Sequence, residues 1–414
     1  VLKRGGNKLN FINGNIVSPK GFQATGGFAG IKKQKNDLCL VYSSVPCKAA
    51  GMFTTNIVKA APVLWDQELV NKGGAIHGLV VNSGNANACT GKQGIEDNRL
   101  MAEAFADQIN AKPEEVLICS TGVIGQPMPM DAVQKGILEI SSGLGSSYED
   151  GILAAEAIMT TDTFMKAYAV QIELDGKTVT LGGMAKGSGM IHPNMATMLS
   201  FVTTDVNITK ELLQKALRDT VEDTYHMISV DDDTSTNDTV LVLANGCAEN
   251  PLISAEDERY HKFVKALGEI NRKLAVDIAR DGEGASKLIE ATVTGAVSKK
   301  DAVKLAKSII SSSLFKAAMF GADANWGRAL CAMGYSGGSF DPDKVSIAFR
   351  SGEKEILLMD VGNPVIFDEE LALEILKNTH IYVDILLRDG DATATAWGCD
   401  LTYDYVKING EYRS

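Results

Sequence analysis

The bond between Ala196 and Thr197 constrains this chain more than any other feature. It lies in Lys186-Gly187-Ser188-Gly189-Met190-Ile191-His192-Pro193-Asn194-Met195-Ala196-Thr197-Met198-Leu199. Gly187 and Gly189 allow a tight turn and close backbone approach. Pro193 argues against one helix through the segment. From Thr197 the chain runs into Met198-Leu199-Ser200-Phe201-Val202, which reads as a buried strand. Taken alone, the pattern also fits an ordinary turn before a strand. If the chain breaks at this bond, Thr197 acquires a free α-amine beside its hydroxyl, and a threonine with its own amine as base is an activated nucleophile. An α-amine titrates near about 7.7–8.0, so much of it is neutral around pH 7–8.

The 414 residues allow two or three domains. No apolar run reaches the length of a membrane span. A net charge of −12 argues against a nucleic-acid partner, which would want a basic face. The seven cysteines are widely spaced, and none forms a C-x-x-C pair, so neither a zinc nor a redox motif is indicated. The expected compartment is a reducing cytoplasm. The start, Val-Leu-Lys-Arg-Gly-Gly, has no apolar signal core and no methionine, as if a piece had been removed.

Strand-like and helix-like stretches alternate. Helices are predicted over 98–111, 210–225, 255–280 and 299–312, with Asn207 or Thr209 capping the second. Strands are predicted at 116–119, 239–243, 288–293, 345–349, 381–387 and 401–406, with a hairpin over 167–181 turning at Asp175-Gly176. The best domain seam is Gly282-Glu283-Gly284, which divides 1–284 from an α/β module at 285–414.

Motifs spread along the chain carry a resemblance. They include Phe53-Thr54-Thr55-Asn56, Asn82 to Gly91, Ser120-Thr121-Gly122-Val123-Ile124-Gly125, Met159-Thr160-Thr161-Asp162-Thr163, Asp233 to Thr239, Ala279 to Gly284, Gly321 to Arg328 and Tyr405 to Asn409. With the Ala-Thr-Met-Leu junction, the chain resembles the ornithine acetyltransferases, the glutamate N-acetyltransferases of arginine biosynthesis. The resemblance implies an α/β fold, an αββα sandwich like that of N-terminal-nucleophile enzymes. It implies self-cleavage into 1–196 and 197–414, assembled as a heterotetramer. Thr197 would be the nucleophile, and Thr121 and Gly122 the oxyanion hole. Thr160, Lys186, Glu283, Asn409 and Ser414 would bind substrate, although the family usually ends in threonine rather than serine. N²-acetylornithine would donate its acetyl group and glutamate would receive it, with no cofactor or metal. A bifunctional enzyme that also uses acetyl-CoA, and an N-terminal-nucleophile aminopeptidase or amidase, are the alternatives.

Other features suggest less. Asp231-Asp232-Asp233 could hint at a divalent cation, but adjacent carboxylates converge only in a turn that aims them, and the family usually has glycine at 232. His192 could suggest a triad, though an amine-based mechanism needs only positioning from it. Gly187-Ser188-Gly189 lacks the spacing of a nucleotide fingerprint. Asp323 is expected to cap the helix entered at Gly321–Arg328.

Overall fold

The computed structural model describes residues 9–192 and 198–411. It falls into two compact units. The first comprises Val1–Gly187, Asn194–Glu222 and Thr234–Leu274; the second comprises Ser188–Pro193, Asp223–Asp233 and Ala275–Ser414.

The first unit contains β1 (Asn10–Ile12), β2 (Phe22–Gly27), β3 (Leu38–Phe53), α1 (Ala61–Lys72), β4 (Ile76–Asn85), α2 (Gly91–Ile109) and β5 (Val116–Val123). After α3 (Met130–Ser141) and α4 (Tyr148–Ala157) come β6 (Lys166–Leu174), β7 (Lys177–Lys186), β8 (Leu199–Thr204) and α5 (Lys210–Glu222). β9 (Ile228–Ser229) belongs to the second unit. The first unit resumes with β10 (Thr239–Ala244) and the start of α6 (Glu258–Arg280). Its strands follow the order β1-β6-β7-β8-β10-β3-β4-β5, with β2 on β3. The 16-residue β3 belongs to both halves: 38–47 pair with β4 and 48–53 with β10.

Successive side chains point to opposite faces of each strand, and the inner faces of the two halves pack as a sandwich. Val41, Leu79, Val81 and Leu117 from one half share a core with Met184, Leu199, Phe201 and Leu241 from the other. On the outer face of the first half, Leu40, Val80 and Ile118 pack under Met101 and Phe105 of α2 and Val133 and Ile137 of α3. On the outer face of the second, Gly183 lies under Ile270 and Leu274 of α6, where a Cβ would stand 3.1 Å from each. Helices thus cover both sheets, the expected αββα layering.

The second unit continues through β11 (Leu288–Ala296), α7 (Lys299–Ser311), α8 (Ser313–Phe320), α9 (Trp326–Tyr335), β12 (Ser346–Ser351) and β13 (Lys354–Asp360). It ends with β14 (Asn363–Pro364), α10 (Glu369–Leu376), β15 (His380–Leu386), β16 (Ala392–Cys399) and α11 (Tyr403–Gly410). Its sheet runs β14-β13-β12-β15-β11-β16-β9. α7 begins at Ser298, whose side chain accepts the Asp301 N–H, and buries Ala302, Leu305, Ala306, Ile309 and Ile310 at helical spacing. Among the described residues no helix is long and apolar enough to cross a membrane.

The predicted hairpin turns where expected, with Asp175 and Gly176 both at positive φ (50° and 76°), as a two-residue loop requires. Thr209 supplies the cap of α5, its hydroxyl accepting the Leu212 N–H at 3.4 Å. Two local expectations fail. Residues 401–406 are not a strand, because Thr402 caps a helix by accepting the Tyr405 N–H, and Tyr403 and Val406 are exposed. Asp323 does not cap α9: the residue before that helix is Asn325, and Asp323 accepts the Asn325 side-chain amide at 3.2 Å instead.

Candidate active site

Thr121 and Gly122 close β5, which runs parallel to β4 with Thr121 opposite Ser83 and Gly122 opposite Gly84. Gly122 has φ 138°, and a Cβ there would fall 2.2 Å from the Gly84 carbonyl carbon. Only glycine fits there, directly after the Thr121 hydroxyl. The Asn237 amide clamps the two strand ends, donating to the carbonyls of Ser120 (2.8 Å) and Ala86 (2.6 Å). Gly122→Ala keeps the N–H but drives a Cβ into the Gly84 backbone, so it is expected to shift the ends of β4 and β5 and to lower kcat by about 10²-fold, the cost of a misplacement of about 1 Å. Steady-state kinetics on protein checked for its fold by circular dichroism will measure this.

Asp238 anchors the start of β8. Its Oδ1 accepts the Met198 N–H at 3.0 Å, and the chain re-enters the described structure at that residue. The Asp238 carboxyl is fully buried, and Oδ2 has no hydrogen-bond partner among the described residues. Burial pushes it well above the usual carboxylate range, against the pull of the Met198 N–H, Thr54 and Lys186. β8 lies between β7 and β10, with Leu199 paired to Lys186 on one side and Thr239 on the other.

Lys186 and Thr160 come together around Asp162. The Asp162 carboxylate accepts the N–H of Thr160 (2.9 Å), the N–H of Gly187 (2.8 Å) and the ammonium of Lys166 (2.8 Å). Burial alone would raise this carboxyl. Lys186, Lys166 and the Gly187 N–H outweigh it and hold Asp162 well below the usual carboxylate range. Asp162 and Lys166 have completely buried side chains, and Lys186 is 2% exposed.

Glu283 and Asn409 meet in the second unit. The Asn409 amide donates to Glu283 Oε2 at 2.7 Å. Glu283 lies against Gly189, where a Cβ would stand 2.3 Å from its carboxylate carbon. The segment ahead of the Ala196–Thr197 bond is held closely. Met190 has φ 57°, and Asp231 accepts the N–H groups of Met190 and Ile191, each at 2.7 Å. Tyr405 donates its hydroxyl to the same carboxylate at 3.2 Å. His192 Nδ1 lies 2.7 Å from Asp232 and 3.0 Å from Ser229. Burial, with Lys307 adding to it, pushes His192 toward its neutral form, against Asp232 and Asp231. Asp231 and Asp232 are thus committed to this segment, and among the described residues no cluster of His, Cys, Asp or Glu is placed to hold a metal.

Ala196, Thr197 and Ser414 lie outside the described residues. Sequence reasoning quoted Asp162, Asn237 and Asp238 within motifs but gave them no role. Asp162 has two local partners, Thr160 two residues before it and Lys166 four after it; its Gly187 partner and those of Asn237 and Asp238 are 25 to 151 residues away, so only Asp162 offered a local signal.

The ArgJ family model matches residues 23–414. An arginine biosynthesis bifunctional protein ArgJ of Caldanaerobacter subterraneus subsp. tengcongensis is 53% identical over 406 residues, covering 98% of this chain and 100% of its own length. ArgJ 1 of Clostridium acetobutylicum, of the same description, is 55% identical over 403 residues, covering 97% and 98%. The crystal structure of the arginine biosynthesis bifunctional protein ArgJ from Bacillus halodurans is 47% identical, covers 52% of this chain and 99% of that chain, and superposes with a TM-score of 0.49.

Proposed function

We propose, since this chain belongs to the ArgJ family, that it cuts itself between Ala196 and Thr197 and then carries an acetyl group from N²-acetylornithine to glutamate on the Thr197 hydroxyl. The freed Thr197 amine takes the hydroxyl proton, and the oxygen attacks the acetyl carbonyl. The Thr121 hydroxyl and the Gly122 N–H stabilise the oxyanion of the tetrahedral intermediate. Collapse expels ornithine, which takes the proton, and leaves an acetyl ester on Thr197. The glutamate amine attacks that ester, and N-acetylglutamate leaves with the hydroxyl restored. Splitting the transfer in two avoids direct attack of one amine on another's amide. Lys186 receives the substrate carboxylate with Thr160 as a polar contact, Glu283 receives its ammonium, and Asn409 and Ser414 contribute from the C-terminus.

The observation that carries this reading is the end of β5. A glycine at φ 138° that no other residue can replace directly follows Thr121 there, and these two residues are the pair that the family resemblance assigns to the oxyanion hole. The test is to incubate purified protein with N²-acetylornithine, with and without glutamate. Stoichiometric N-acetylglutamate and ornithine are expected with glutamate present. Acetate released at the same rate in both samples would mean that water is the acceptor and the protein is a hydrolase. The relatives are named as bifunctional, which favours a second activity on the same threonine, with acetyl-CoA as donor. N-acetylglutamate formed from acetyl-CoA and glutamate alone, without acetylornithine, would establish it. The cleaved chains are expected to assemble as a heterotetramer in the cytoplasm.

A further inference from the structure

Asp238 holds Met198, and the residue bonded to the Met198 nitrogen is Thr197. Two bonds, of about 1.3 and 1.5 Å, separate that nitrogen from the Thr197 Cα. In a planar trans peptide the N–H and the preceding Cα lie on the same side of the C–N bond, and the carbonyl oxygen points the other way. Asp238 Oδ1 accepts this N–H at 3.0 Å. Covalent geometry alone therefore puts the Thr197 Cα, which carries the amine and the hydroxyl-bearing Cβ, on the side of the bond that faces the carboxyl.

The same carboxyl has an acceptor in reserve. Asp238 is fully buried, and Oδ2 has no hydrogen-bond partner among the described residues. Leaving a buried acceptor unpaired is costly, so native folds seldom do it without a use for the group. The surroundings are tightly held. The Thr54 N–H donates to the Asp238 carbonyl at 2.9 Å, and the Thr239 N–H donates to the Met198 carbonyl at 3.2 Å. The adjoining Asn237 donates to the carbonyl of Ser120, the residue before Thr121. The charged group acting on Asp238 from a neighbouring strand is Lys186, which pairs with Leu199 across the β7–β8 ladder.

We propose that Asp238 is the acid partner of the Thr197 α-amine: once the chain is cut, the amine donates an N–H to Oδ2 and keeps its lone pair for the hydroxyl proton. This rests on the cleavage and acetyl-transfer reading above. The hydroxyl proton moves to the amine nitrogen, the ammonium so formed lies against the carboxyl, and the proton leaves with ornithine. Asp238 itself neither gains nor loses one. A carboxylate beside an amine favours the charged form, so Asp238 makes the amine a stronger base. The buried aspartate of a serine-protease triad supports its histidine in a similar way. In the uncut chain residue 197 carries an amide nitrogen, so this partnership begins only with cleavage.

A purely structural Asp238 would only anchor Met198. Asparagine can do that through its own Oδ1 but carries no charge, so Asp238→Asn separates the two roles. Cleavage of wild type and D238N is checked by intact mass. A form that does not cut itself is made by coexpressing 1–196 with a chain that begins at Thr197. The Thr197 amine is then titrated by competitive labelling with trace dinitrofluorobenzene, read by mass on the peptide that begins at Thr197. In D238N the amine is expected to titrate about 1–3 pH units lower than in wild type, the usual influence of a close opposite charge. kcat is expected to fall about 10²–10⁴-fold, the range that positioned proton transfer contributes. The same amine titration in both proteins would overturn the proposal, whatever the loss of activity. Should wild type transfer no acetyl group, the transfer reading fails while the labelling still decides on Asp238. If D238N does not fold, wild type alone decides: an amine that titrates above its value in the denatured chain supports the pairing, and one at or below that value refutes it.

Discussion

Thr197→Ala is expected to give one uncut chain of 44.2 kDa with no measurable acetyl transfer. The hydroxyl is needed twice. It first attacks the Ala196 carbonyl, so that the chain passes through an ester whose hydrolysis frees the amine. It then attacks the donor acetyl group. Removing the serine nucleophile of a triad protease costs on the order of 10⁶ in kcat, and here the failure to cleave removes the base as well. Denaturing electrophoresis, intact mass and the transfer assay read the two losses separately. Thr197→Ser keeps oxygen and amine and is expected to cleave and to retain part of the activity. An uncut T197A protein that still transferred acetyl would show that the nucleophile is elsewhere.

The second large effect is expected at Asp162. Its buried carboxylate neutralises Lys166 and is pulled down by Lys186 as well. Asp162→Asn removes a buried countercharge of these ammonium groups, and breaking a buried pair typically costs about 3–5 kcal/mol. Denaturant unfolding at pH 7 will measure the loss. The sign of the pH dependence follows from the depressed acid. Its folded pKa lies below the unfolded value of about 3.9, so its contribution is fully present above that pH and is lost as pH falls through the folded pKa. The gap between wild type and D162N should therefore be widest near neutrality and narrow below about pH 4. The same substitution loosens the backbone of Thr160 and Gly187, which both donate to this carboxylate. A raised KM for acetylornithine is expected in whatever protein folds.

Local chemistry made much of the first unit legible. The apolar run after Thr197 is a completely buried strand over Leu199–Thr204, as its composition requires. Asp175-Gly176 announces its hairpin because only a few residues tolerate positive φ. The helical periodicity of α5, α6 and α7 is similarly plain. Legibility fails where tertiary contacts decide. β16 has the sequence Ala-Thr-Ala-Thr-Ala-Trp-Gly-Cys, and its small residues give little hydrophobic contrast. Yet it lies inside the sheet because α7 packs so closely that a Cβ on Gly398 would stand 2.9 Å from Ile310. The aromatic and β-branched residues of 401–406 suggest a strand, but a threonine cap and partial exposure make a helix. β3 carries no mark of its passage from one half of the sandwich to the other. The roles of Asn237 and Asp238 depend on partners distant in sequence, which no spacing rule could have paired, whereas Asp162 stands four residues before its Lys166 partner.

The central claim is that acetyl rests on the Thr197 oxygen between the two half-reactions. Cleaved protein mixed with N²-acetylornithine and no acceptor, quenched in acid and weighed intact, tests it directly. The chain beginning at Thr197 should gain the mass of one acetyl group, with ornithine released in equal amount, and should lose that mass when glutamate is added. An unmodified chain under conditions where N-acetylglutamate is still produced on adding glutamate would contradict the account.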